Sequence, residues 1–142
     1  MTDASFELRV VAGLPDPSLQ PPTVAQSRDP FAALRVVHLV ARLPHGRPVR
    51  VRDIVDRLNA DYLDWSFGRP VVIDAIVQLQ SNWLSDYRSR DGILLEEGEA
   101  GPELTIEDSP RVDPWIIRQT ERLAAECRES LRVFARDQGA VP

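Results

Sequence analysis

Lysine is absent from this chain, and all 17 of its basic residues are arginine. Arginine-only usage is what a GC-rich genome produces, and no function is read from it. Cysteine occurs once, as Cys127, which excludes an internal disulfide and any cysteine-built metal site. Only two histidines are present, His38 and His45. Neither sits in a motif that would pair it with a nucleophile, so a core or capping role is expected for both. No apolar run reaches the roughly 20 residues needed to span a bilayer. The opening "MTDASFELRVV" has neither the basic region nor the apolar stretch of a secretory signal. A cytoplasmic protein without membrane contact is the expectation.

Base is also missing where acid is plentiful. Between positions 92 and 110 stand Glu96, Glu97, Glu99, Glu103, Glu107 and Asp108, with no arginine among them. "GEAG" in this stretch has the wrong charge for a phosphate cradle, and no EF-hand spacing is present. No metal, no cofactor and no catalytic residue is expected, so the chain reads as a non-enzyme. The net charge of −5 argues against indiscriminate nucleic-acid coating, though a local basic patch is compatible with it.

What is present is patterned. The chain is 43% hydrophobic and 27% charged, the balance of an ordinary globular domain. "SFELRVVAG" alternates like a half-buried strand, and the proline-rich run after it reads as an extended linker, giving a first region 1–28. In "DPFAALRVVHLVARL", Asp29 is an N-cap with Pro30 at the first helical position. That helix is apolar around most of its circumference, with Arg35, His38 and Arg42 as a narrow polar stripe, so it is expected at the centre of its domain. "VRVRDIVDRLNADY" predicts a short helix facing inward with Val51, Ile54, Val55 and Leu58. "RPVVIDAIVQLQSNWL" predicts a longer one with Val72, Ile73, Ile76, Val77, Leu79, Trp83 and Leu84 on a broad apolar arc. Its opposite arc holds Asp74, Ala75, Gln78, Ser81, Asn82 and Ser85. "ILLEEGEAGPELTIED" reads as a β-hairpin and closes a second region, 29–110. The last element opens at "SPRVDPW", where Asp113 caps before Pro114, and makes residues 111–142 a region with a long amphipathic helix.

The order of "FAALRVVHLVARL", "VRDIVDRL", "VVIDAIVQLQSNWL" and "GILLEEGEAGPELTIED" resembles the winged helix-turn-helix superfamily over residues 29–108. The resemblance implies an α+β, mostly helical fold: a winged-helix-like three-helix core and a β-hairpin wing. An N-terminal strand and a long C-terminal helix would flank it. It also implies that the third helix enters the DNA major groove. Gln78, Ser81 and Asn82 would then face base edges, with Arg69, Arg88 and Arg90 on phosphates; Arg47, Arg50 and Arg52 would add phosphate contacts at the start of the second helix. From 28 to 52, six arginines stand against Asp29 alone. Either they meet phosphate, or they pair with the acidic hairpin of the same or another chain, the more so Arg35 and Arg42. The final helix presents Ile116, Thr120, Leu123, Cys127, Leu131 and Phe134, a face that dimerises or folds back on its own domain. The leading expectation is a DNA-binding, homodimeric protein of the transcription-regulator type. The alternative is a protein-interaction module using the acidic hairpin and the third helix, consistent with Asp74 and the acids of the wing.

Overall fold

Asp29 caps as its position before Pro30 predicts. In the computed structural model, which describes residues 13–15 and 29–137, its Oδ1 accepts the Phe31 amide at 2.9 Å. Helix α1 follows over Pro30–Val40 and is buried on nearly every side, from Phe31 and Leu34 through Val36, Val37 and Leu39 to Val40. It is the axis of the core. The expected N-terminal strand and most of the proline-rich linker lie outside the described residues.

A strand that periodicity did not reveal comes next, β1 at Pro48–Arg50. Three residues are too few to show alternation, and only the pairing of Val49 with Leu104 of a later strand makes them a strand. Helix α2 (Val51–Asp61) starts directly after it and buries Val51, Ile54 and Leu58. Helix α3 spans Arg69–Tyr87 and stops at Arg88, whose φ of 52° is left-handed and whose amide donates to the Leu84 carbonyl at 2.7 Å. Strands β2 (Ile93–Gly98) and β3 (Gly101–Ile106) form the hairpin, and α4 runs Val112–Asp137. The long helix therefore begins one residue before Asp113, which lies in its first turn and not at its cap.

Among the described residues the architecture is α+β, four helices with a three-stranded antiparallel sheet of order β1-β3-β2. Ile93, Leu104, Ile106 and Val49 fill the core side of the sheet. α3 packs against β2, while α2 packs against β3 and β1. α4 lies along α1, so the long helix closes the domain on the side away from the hairpin. No helix among the described residues is long and apolar enough to cross a membrane.

Two aromatic clusters lock the joints. Trp83 meets Tyr87 (ring centroids 4.3 Å) and Trp115 edge-on (5.2 Å), while the Trp115 indole donates to Asp86 and Arg111 lies 4.5 Å from the Tyr87 ring. At the other joint Arg35 is only 1% exposed, which overturns its place in a polar stripe of α1 and its pairing with the hairpin. Its guanidinium lies 4.4 Å from the Tyr62 ring and 4.6 Å from the Trp65 ring, and donates to both oxygens of Asp64 at 3.3 and 3.2 Å. Asn59 grips the backbone of Phe67 from both sides, at 3.0 and 2.6 Å. These contacts turn the long α2–α3 connection into a fixed platform. His45 bridges toward Asp108 and Asp113, each at 3.4 Å, and so braces the turn before β1 against the ends of β3 and α4.

Candidate interaction surface

The orientation of α3 decides what the molecule presents. Its buried residues are Val72, Ala75, Ile76, Leu79 and Trp83. Ala75, assigned by periodicity to the polar arc, is inside, whereas Val77 and Leu84, assigned to the core, are 40% and 44% exposed. The apolar arc of this helix is wider than its neighbours can cover, so the core takes the part that fits between α1, α2 and β2. The remainder faces outward.

Of the residues expected to read bases, Gln78 and Ser81 are exposed and Asn82 is half-buried. Gln78 and Asn82 line a groove between α1, α3 and α4, together with Asp29, Asp74 and Arg122. Asn82 lies 3.5 Å from the Gln119 side-chain oxygen, which also accepts from Arg122 at 3.0 Å. α4 passes along this flank and holds Asn82, while Gln78 is exposed beside it. Ser81 is exposed on the outward arc, between Val77 and Leu84. It shares a second groove with Gln80, Leu84, Ser89, Arg90 and Ile93.

The arginines are dispersed. Arg47, Arg52, Arg69, Arg88 and Arg90 are exposed. Arg50 is exposed as well, but its Nε donates to Asp53 at 3.2 Å, and it stands opposite Glu103 in the β1–β3 register. The Arg69 guanidinium reaches the hairpin turn, 3.2 Å from where a side chain on Gly101 would begin. The hairpin carries its acids close together: Glu96 is directly across from Glu103, and Glu96, Glu97 and Glu99 are exposed. Like charges facing each other across a pair of strands are unfavourable, so this arrangement gains from an opposite charge nearby.

The expected dimer face is largely occupied by the chain itself. Ile116, Thr120, Leu123 and Cys127 are buried against the core, because α4 folds back along α1. Only half-buried Leu131 and Phe134, which is 42% exposed, remain open on it. Burial, followed by the nearby Asp29 carboxylate, pushes the Cys127 thiol from 9.0 up to about 12. The thiol is therefore an inert apolar group at neutral pH. Ellman's reagent at pH 8 is expected to leave the folded protein unlabelled and to titrate one thiol once guanidinium unfolds it. Prompt labelling of the native state would contradict this burial. Since folding raises this pKa, the stability it contributes is intact below about pH 9 and is lost as pH rises toward 12.

Two further features of the surface leave no local signal in the chain. Leu63, 87% exposed, stands on the platform beside the Arg35 stack, and the outer edge of β2 runs beside the outward arc of α3. Comparison with known proteins finds no matching family, no matching curated protein and no matching solved structure.

Proposed function

We propose that this chain is a winged-helix-like protein-interaction module, in which the outward arc of α3 and the acidic hairpin meet another protein. The observation that carries this reading is the character of that arc. Where a DNA-reading helix would offer bases to a phosphate-lined groove, α3 exposes Val77 and Leu84 among uncharged Gln78, Ser81 and Ser85, beside a hairpin bearing Glu96, Glu97 and Glu99. An exposed apolar strip with a charged rim is the composition of a protein contact. The order α1-β1-α2-α3-β2-β3, with β3 central in the sheet, supports the winged-helix-like description.

DNA binding is the second reading, favoured by exposed Arg69 and Arg88 at the two ends of α3 and by Arg52 and Arg90. A homodimer would have to use the open end of the α4 face at Leu131 and Phe134.

Titration against random duplex DNA at low and moderate salt separates the two readings. No steeply salt-dependent binding is expected. Affinity that falls sharply with salt and disappears in the double variant Arg52→Glu, Arg69→Glu would install the DNA reading instead. In parallel, Val77→Asp with Leu84→Asp is expected to hold stability within about 1 kcal/mol, because both side chains are already half in water. The same variant is expected to remove protein partners captured by crosslinking in the native cell.

A further inference from the structure

The hydrogen-bonding parity of the hairpin leaves one edge open. The Glu107 amide donates to the Gly92 carbonyl at 2.8 Å, and these residues stand opposite each other in the register that pairs Ile93 with Ile106. Hydrogen-bonded pairs alternate along an antiparallel ladder. Leu94, Glu96 and Gly98 therefore turn their amides toward β3, while Ile93, Leu95 and Glu97 turn theirs away from it; Ile93 is buried, so the open part of the edge is at half-buried Leu95 and exposed Glu97. Pro102, opposite Glu97, fits this parity: its missing N–H would point past the end of β1, where no partner stands. β2 is an outer strand, and among the described residues no strand lies beyond it.

What does lie beyond is α3, which packs under β2 and carries its outward arc past the open edge. Two contacts set the alignment of helix and strand. At one end Ser81 and Leu84 share a groove with Arg90 and Ile93. At the other Arg69 reaches Gly101. Between them the helix exposes Val77, and the strand and its turn expose Glu96, Glu97 and Glu99.

We propose that the open edge of β2 takes up an extended, arginine- or lysine-rich segment of a partner protein as a fourth strand, with α3 as the floor beside it. This rests on the interaction-module reading above. Side chains of an added strand alternate between two faces. One set would lie over the acids of the hairpin, and the other would enter the apolar groove at Leu84. Charge selects the occupant. A second copy of this chain would set its own Glu96, Glu97 and Glu99 against the same acids, whereas a cationic strand brings opposite charge to them. Main-chain hydrogen bonds would supply affinity, and the acids and the groove would supply selectivity.

The test uses the full chain and two synthetic peptides, one alternating arginine with valine and one alternating glutamate with valine. Amide-resolved hydrogen exchange is expected to slow by at least about tenfold at Leu95 and Glu97 when the arginine peptide binds. Leu94 and Glu96, already bonded to β3, should change little, and the glutamate peptide should not bind. Glu97→Pro removes an outward amide without touching the β3 ladder, and should weaken the arginine peptide by at least about tenfold with little change in melting temperature. Should that variant fail to fold, the exchange pattern of the wild type decides alone. Binding with no protection at Leu95 and Glu97 overturns strand addition and leaves the interaction module standing. No binding of the arginine peptide at low salt also overturns it. Failure of the module itself is read separately, from salt-dependent DNA binding lost in the Arg52→Glu, Arg69→Glu variant.

Discussion

Gly92→Ala is expected to bring the protein close to unfolding. A β-carbon at this position would lie 2.3 Å from Cζ2 and 2.4 Å from Cε2 of Trp83, closer than any real contact permits. Trp83 cannot yield, since it is fully buried between Tyr87 and Trp115. The backbone at Gly92 also has φ +97°, which a side-chain-bearing residue adopts only with strain of about 1–3 kcal/mol. Overpacking adds roughly 1–3 kcal/mol. Together these remove about 2–6 kcal/mol from a stability that in domains of this size totals about 5–15. Urea denaturation followed by tryptophan fluorescence measures the loss. Gly46→Ala is the internal control, because Gly46 has a comparable φ of +77° but open space where its β-carbon would go. It should cost the strain alone, and equal losses at the two sites would refute the Trp83 clash.

Arg35→Ala is expected to destabilise by about 2–4 kcal/mol. The loss comes mainly from stacking and from the aliphatic stem in the core. The ion pair contributes less, because Asp64 is 39% exposed and solvent screens it. Arg35→Lys should recover little, since an ammonium cannot lie flat between Tyr62 and Trp65 or engage both Asp64 oxygens. The emission of Trp65 should shift red as the platform loosens, while the ladder between β2 and β3 stays intact. A denaturation midpoint within error of wild type would show that the stack is dispensable.

Both effects concern residues whose neighbours are remote in the chain, and here the limits of sequence reading are physical. The cap at Asp29, the core positions of α2 and the hairpin turn depend on near neighbours, and they stand where local rules place them. β1 was missed because a three-residue strand has no period, and Arg35 was misplaced because its charge outweighed its surroundings in any local argument. A buried arginine needs two rings and a carboxylate, and these arrive from positions 62–65. The candidate surface was less legible still. Gln78, Ser81 and Asn82 share an arc on a helical projection, but α4 claims Asn82 and leaves Gln78 and Ser81 exposed. Ile116, Thr120, Leu123 and Cys127 likewise form a face that looked free for a second copy until α1 covered it.

The sequence by itself determined that four helices and an acidic hairpin would form, in this order, because caps, prolines and apolar spacing act within a few residues. It also determined the sign of the hairpin's charge and the absence of cysteine chemistry. Only the tertiary structure decided which part of each apolar arc became core and which became surface. An amphipathic helix specifies that one side must be covered, not by what, and α3 has more apolar side than α1, α2 and β2 can cover. The uncovered remainder, Val77 and Leu84 beside the open edge of β2, therefore exists only once the neighbours have taken their places.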